Sequence, residues 1–108
     1  MSNSPQRATE HRRYPGEVEI TRFELDRIFA DKPGWVEILE TSIFCTCPAP
    51  TKRLVAYKVY VNDLWDVLLR GSCSACGHVA ARYAETGEVP ELTTRVKMVL
   101  AERKKGTA

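Results

Sequence analysis

The apolar and polar positions divide the chain into a polar start, a short helix, a region of alternating positions and a second helix. Residues 1–16 are polar and contain two prolines, so we expect them to form a disordered tail. Thr21, followed three residues later by Glu24, is the pattern of a capping box. It predicts a short helix that begins after Thr21 and ends at Pro33 and Gly34.

Alternating apolar positions predict an antiparallel sheet in the middle of the chain. The predicted strands are residues 35–44, 53–61, 65–72 and 78–85. Pro90 suits the first position of a final helix, whose apolar positions are Leu92, Val96, Val99 and Leu100. The prediction is an α+β fold in which a small antiparallel sheet of about four strands is flanked by an N-terminal and a C-terminal helix. We expect a single domain spanning residues 17–105.

The alternation also predicts which side chains point toward the helices. The predicted inward set is Val55, Tyr57, Val59, Trp65, Val67, Leu69, Val79, Ala81 and Tyr83. The other face would then carry Lys58, Tyr60, Arg70 and Arg82.

Composition narrows the class of protein. The chain has 108 residues and a net charge of +2, which is too small to indicate nucleic-acid binding without knowing where the charges lie. Its start has no apolar stretch of the signal-peptide kind, and no run approaches a membrane span. We therefore expect a cytoplasmic protein without a membrane partner, in a compartment that keeps thiols reduced.

Four cysteines carry the candidate chemistry, in the pattern C-x-C-x25-C-x2-C. The first pair would follow the first predicted strand. Strands two and three are nearly equal in length, so the second pair should return to the same end of the sheet. Tetrahedral zinc needs four sulfurs roughly 3.8 Å apart, and this convergence can supply them. The predicted metal ligands are Cys45, Cys47, Cys73 and Cys76.

In the segment Cys73-Ser74-Ala75-Cys76-Gly77, the glycine after the second cysteine permits the left-handed conformation that such a turn often needs. On its predicted hairpin, this segment resembles the knuckles of zinc-ribbon proteins. The resemblance covers about residues 36–85 and implies a structural Zn²⁺ ion on a small antiparallel sheet. Cys45-Thr46-Cys47 departs from the usual knuckle because it is one residue tighter, and Pro48 lacks an N–H. Iron in a rubredoxin-like centre or a cluster, and free or redox-active cysteines, are the alternatives. His78 is an alternative ligand, although we expect it to begin a strand.

The chain contains no serine elbow, metalloprotease motif or glycine-rich phosphate loop, so we expect it not to be an enzyme and infer no small-molecule substrate. The leading hypothesis is a non-catalytic zinc module that binds nucleic acid or a nucleic-acid-associated protein. The residues predicted to contact nucleic acid are Lys52, Arg53, Lys58, Tyr60, Arg70 and Arg82. The alternatives are a zinc-stabilised protein-interaction or assembly module, using the apolar side of the last helix, and an iron-binding redox protein.

Overall fold

A computed structural model describes residues 16–107, with side chains described as far as Arg103. The elements in chain order are β1 (Val18–Ile20), α1 (Arg22–Ile28), α2 (Trp35–Thr41), β2 (Leu54–Val61), β3 (Val67–Cys73), β4 (Val79–Ala84), a 3₁₀ turn (Thr86–Glu88) and α3 (Pro90–Thr107). The strands form one antiparallel sheet in the order β1-β2-β3-β4. The predicted α+β class, a four-stranded antiparallel sheet flanked by an N-terminal and a C-terminal helix, is confirmed. The predicted disordered tail lies outside the described residues except for Gly16.

The first helix begins where the sequence predicts. The Thr21 hydroxyl accepts a hydrogen bond from the Glu24 backbone N–H at 3.0 Å, and the Glu24 carboxylate accepts from the Thr21 N–H at 2.8 Å. These bonds satisfy two backbone donors that an uncapped helix leaves without partners. The capping box is therefore confirmed.

The predicted first strand, residues 35–44, is wrong. Residues Trp35–Thr41 form helix α2, and the chain then continues as a loop to β2. Gly34, with φ of +90°, turns the chain into the helix, and Thr41 donates from its hydroxyl to the Glu37 carbonyl near the end. Leu39 and Glu40 are buried together, so helical spacing prevails over the β propensity of the segment.

The fourth strand is instead β1, a segment of three residues that no sequence pattern predicts. Val18 pairs with Val61, and Ile20 pairs with Val59. Only Ile20 of these three β1 residues is fully buried. So short a segment gives no readable alternation, and its pairing depends on β2.

The predicted inward face is correct in the centre of the sheet and wrong at two places. Val59, Val67 and Leu69 are buried, as predicted. In β2, Ala56 has φ of +52° and the register shifts between Val55 and Lys58. Val55 is therefore exposed, whereas Leu54, which precedes it, is buried. A β-bulge of this kind reverses the inward side chains on one side of it.

In β4 the alternation is the reverse of the prediction. Ala80 is buried, and Val79, Ala81 and Tyr83 are exposed. Arg82 pairs with Leu69, so it lies on the helix side of the sheet and not on the outer face. Ala and Arg at alternate positions give a weak hydrophobic contrast, and the sequence alone cannot fix the register of such a strand.

The hydrophobic core lies between the sheet and the helices. The sheet contributes Ile20, Leu54, Val59, Val61, Val67, Leu69, Cys73 and Ala80, and the helices with the α1–α2 loop contribute Leu25, Ile28, Phe29, Leu39, Leu92, Val96 and Val99. Three of the predicted apolar positions of α3 are therefore buried, and Leu100 packs partly against the core. None of the helices within residues 16–107 is both long and apolar enough to cross a membrane.

Candidate metal centre

The second cysteine pair lies in a turn that the backbone fixes firmly. Cys73 ends β3, and its N–H donates to the His78 carbonyl at 2.9 Å. The Gly77 N–H donates to the Cys73 carbonyl at 2.9 Å. Gly77 has φ of +79°, the left-handed conformation that the sequence predicts after Cys76. The Ala75 N–H lies 3.4 Å from the Cys73 sulfur, as in a zinc knuckle.

A second set of bonds attaches this turn to the start of β2. The Ser74 N–H donates to the Arg53 carbonyl at 2.8 Å, and the Arg53 N–H donates to the Ser74 hydroxyl at 3.0 Å. The turn is thus held by the sheet on both sides, independently of any ligand.

The first cysteine pair is placed differently from the prediction. Cys45 and Cys47 lie in the loop between α2 and β2, not at the end of a strand. Lys52 donates from its ammonium group to the Cys45 carbonyl. Within the described residues, no hydrogen bond between two backbone groups involves residues 43–50. Ile43, Cys45 and Cys47 pack against the hydrophobic core, so side chains attach this loop to the rest of the fold.

The four sulfurs nevertheless converge. Cys45 Sγ lies 3.5 Å from Cys76 Sγ, Cys47 Sγ lies 3.8 Å from Cys73 Sγ, and all four atoms lie within 4.8 Å of one another. A disulfide requires about 2.05 Å, so these are free thiols. A tetrahedral ion with metal–sulfur bonds near 2.3 Å requires sulfurs about 3.8 Å apart. The cluster fits a zinc-binding site.

The acid–base properties of the thiols also suit a cation. Backbone N–H groups of Ala75 and Cys76 lower the pKa of Cys73 to about 7. The backbone N–H of His78 lowers the pKa of Cys76, but desolvation and the neighbouring cysteines outweigh it and raise that pKa to about 11. One thiol therefore ionises readily and the cluster resists further ionisation. A divalent cation would relieve this repulsion, because metal binding releases the thiol protons.

His78 is adjacent to the cluster. Its Nδ1 lies 3.2 Å from the Cys76 sulfur, and the side chain is exposed. The imidazole ring of His78 is therefore in contact with the Cys76 thiol. With four sulfurs already converging, the histidine would stabilise the Cys76 thiolate from outside the ligand set.

Glu40, which no sequence motif marks as functional, organises the loop side of the centre. Its carboxylate accepts hydrogen bonds from Arg22 at 3.1 Å, and from Arg53 and the Tyr57 hydroxyl. Burial opposes ionisation, but the bonds from Tyr57 and Arg53 prevail and lower the pKa of Glu40. Burial and the Glu40 carboxylate raise the pKa of Tyr57 to about 12. These contacts join α1, α2 and β2 at the point where the cysteine loop begins.

The residues predicted to bind nucleic acid do not form one surface. Lys58, Tyr60 and Arg70 share the outer face, but Tyr60 is only 1% exposed, so its ring is not accessible to a base. The Arg70 guanidinium is 5.1 Å from the centre of that ring. Arg70 also forms two hydrogen bonds to Glu17, at 2.7 and 2.8 Å.

The other three predicted residues lie elsewhere. Lys52 and Arg53 lie at the metal end of the sheet, beside Ser74 in one cleft. Arg82 is on the helix side, where it donates to the Ser42 hydroxyl at 2.8 Å. The position of Arg82 depends on the register of β4, which the sequence does not indicate.

Comparisons of the chain with protein-family models, with curated proteins and with solved structures give no match. The zinc-ribbon resemblance therefore rests on the cysteines and their geometry.

Proposed function

We propose that the chain is a non-catalytic module in which a structural zinc ion, bound by Cys45, Cys47, Cys73 and Cys76, fastens the α2–β2 loop to the sheet. The observation that carries this proposal is the convergence of four sulfurs within 4.8 Å from two distant segments. Four thiolates complete a tetrahedral coordination sphere and leave no position for water or substrate. The ion would act on folding and shape, not on a reaction.

Zinc is favoured over iron by the polar surroundings of the sulfurs. Cys76 is exposed, and His78 and Lys52 lie beside the cluster. Zinc has no redox chemistry that such exposure would disturb, whereas four-cysteine iron sites depend on controlled solvent access. Iron remains the alternative occupant and would give visible absorption.

The first test is substitution of the metal by Co²⁺ in the purified full chain. Tetrahedral binding by four thiolates predicts intense visible absorption and a sulfur-to-cobalt charge-transfer band, both saturating at one equivalent. Cys47→Ser should reduce the charge-transfer band, because it removes one sulfur donor. Ala75→Ser is the matched control, since it changes the same centre while keeping all four sulfurs and the Ala75-position N–H.

A cobalt spectrum that Cys47→Ser leaves unchanged would show that the loop cysteines do not bind the ion. Weak octahedral absorption in the unmodified chain would contradict the four-sulfur centre altogether. Both outcomes differ from simple misfolding, which circular dichroism of the same samples would report.

A binding role for nucleic acid is our second candidate, and the cleft at the metal end favours it. Thr51, Lys52, Arg53 and Ser74 line this cleft. Arg53 is paired with Glu40, so the Lys52 ammonium group and the two hydroxyls are the groups that suit a phosphate. Lys58, exposed on the outer face, adds a further cation. Arg70 contributes less than the sequence predicts, because its charge is paired with Glu17. The alternative function is that of a zinc-stabilised protein-interaction or assembly module.

The test is binding of labelled single-stranded and duplex oligonucleotides at several salt concentrations. Lys58→Ala should weaken binding to all sequences and reduce the slope of log affinity against log salt by about 1. Arg82→Ala, on the other side of the sheet, should change neither. Absent or salt-insensitive binding would make the nucleic-acid hypothesis wrong and favour a protein partner.

A further inference from the structure

We propose that the cavity between α3 and the turn joining β2 to β3 binds a small monocarboxylate with an apolar body, whose charge pairs with the ammonium group of Lys97. The site is separate from the proposed zinc centre. Leu54 pairs with Cys73 at the metal end of the β2–β3 ladder, whereas the cavity lies beside Val61, at the other end. The two sites share no residue.

The cavity has the size and the lining of a small-molecule site. Its volume is about 480 Å³, within the range of roughly 300–1,000 Å³ that ligand sites occupy. Its apolar lining consists of Val18, Val61, Trp65, Leu100 and Ala101. Ligand sites combine an apolar lining of this kind with a few polar groups that fix orientation. Contact with these side chains would remove the apolar body of a ligand from water.

Trp65 has a backbone conformation that a hairpin turn does not require of a tryptophan. Its φ is +67°, in the left-handed region where glycine or asparagine costs less than a bulky residue. The Trp65 N–H donates to the Asn62 carbonyl at 3.1 Å, and the Trp65 carbonyl accepts from the Thr86 hydroxyl at 2.6 Å. These bonds hold the strained residue, which packs partly against the core and lines the cavity. This wall of the cavity is therefore formed without a ligand.

The cavity has one cation whose charge is not balanced by a neighbour. Its charged lining residues are Asp63, Lys97 and Arg103, and Arg103 pairs with Glu24 at 2.9 Å. The Lys97 ammonium group lies 5.1 Å from the centre of the Trp65 ring, and no carboxylate of the described residues forms a salt bridge with it. The ring attracts the ammonium group but takes none of its hydrogen-bond donors. Lys97 is thus held at the cavity with its donors available to an anion.

Asp63 restricts the ligand to a single negative charge. Its carboxylate lies beside Gly16, on the side of the sheet, whereas Lys97 extends from α3. A second carboxylate on the ligand would be repelled by Asp63, because like charges at short range are unfavourable. One carboxylate at Lys97, with an apolar body along the rest of the lining, satisfies both charges.

A second cavity of the same volume, between α2 and β4, is less suited to an anion. Its cation is Arg82, whose guanidinium group already donates to the Ser42 hydroxyl and the Tyr83 carbonyl. Glu85 also lines that cavity and would repel a carboxylate. The comparison favours the cavity beside α3.

The test is equilibrium dialysis of 2-naphthoate and of octanoate against the purified full chain. We expect saturable binding of one equivalent. Uncharged 2-naphthalenemethanol should bind about tenfold more weakly than 2-naphthoate, because it cannot pair with Lys97. Lys97→Met keeps the aliphatic stem and should remove this difference. Lys32→Met is the matched control, since Lys32 lies over the other tryptophan, Trp35, and outside the cavity.

Ala101→Leu tests the location of the site. Ala101 is exposed and lines the cavity, so the added carbons fill the cavity without disturbing the core. This variant should weaken binding of the carboxylates and the alcohol alike, with an unchanged circular dichroism spectrum. Absence of saturable binding by both carboxylates at millimolar concentration overturns the proposal. So does binding of the carboxylates that either Lys97→Met or Ala101→Leu leaves unchanged.

Discussion

The two halves of the metal centre are built on different principles. The Cys73–Cys76 half is a turn of the sheet, fixed by backbone bonds to His78 and Arg53 before any ion is bound. The Cys45–Cys47 half lies in a loop where, within the described chain, residues 43–50 form no backbone–backbone hydrogen bond. One half is pre-organised, and the other depends on its side chains for position.

The difference indicates where the free energy of metal binding would be used. The sheet already orders the knuckle, so binding there costs little conformational entropy. The loop has to be ordered by the ion together with Lys52, Glu40 and its partners. Zinc should therefore stabilise the loop more than the turn.

Removing the metal should have the largest effect. Structural zinc contributes folding free energy on the order of 10 kcal/mol in small domains, so chelation should greatly lower the melting temperature. Limited proteolysis of the metal-free chain should cleave residues 42–52 before residues 73–78, because only the second segment keeps its backbone bonds. Cleavage of both segments at the same rate would contradict the proposed difference.

Gly71→Ala should destabilise the sheet half. A Cβ at this position would lie 2.5 Å from the Val55 carbonyl and 2.8 Å from the Tyr57 Cα, where the β-bulge crosses β3. Overpacking against backbone costs about 2–3 kcal/mol. Urea unfolding should show this loss in both metal-loaded and metal-free protein. Ser72→Ala, one residue along the strand, should show less than half of it.

Glu40→Gln should act on the loop half. It removes the charge that pairs with Arg22 and Arg53, whose side chains are about half exposed, so solvent limits the loss to about 1–2 kcal/mol. Because the folded pKa of Glu40 is lowered, its contribution is present above about pH 4.5 and disappears as the pH falls below that value.

The difference in unfolding free energy between this variant and the unmodified protein should therefore shrink on acidification. Glu37→Gln, an exposed change in the same helix, is the control and should have no measurable effect. A difference that grows toward low pH would contradict the assigned role of Glu40.

Lys52→Met should have the smallest effect. It keeps the aliphatic stem but removes the bond to the Cys45 carbonyl and one positive charge beside four thiolates. We expect a loss of about 1 kcal/mol or less, measured as weaker zinc binding in competition with a chelator. An unchanged zinc affinity would show that the ammonium group does not help to hold the loop.

Features set by residues close together in the chain are predicted from the sequence, and features set by distant contacts are not. The capping box, the β2–β3 hairpin and the left-handed Gly77 are set by residues close together in the chain, and they are predicted correctly. Residues 35–44 are mispredicted because their β-branched and aromatic content suggests a strand, whereas burial of Leu39 and Glu40 favours a helix. The bulge at Ala56 and the register of β4 depend on cross-strand packing, which no local pattern encodes.

The sequence identifies the four cysteines as candidate metal ligands, although the predicted position of Cys45 and Cys47 at the end of a strand is wrong. Cys45 and Cys47 reach the sheet through a loop, not a strand, and Glu40 anchors that loop through contacts 13 to 18 residues away in the chain. Ligand spacing is a local property and can be read directly. The supporting contacts are a property of the fold.

Metal content measured together with thiol reactivity tests the central claim most directly. The purified full chain should contain one zinc ion per molecule, and all four thiols should be protected until a chelator is added. After chelation, the two loop cysteines should react before the buried Cys73. Less than half an equivalent of metal, with four freely reactive thiols in the folded chain, would contradict the metal centre.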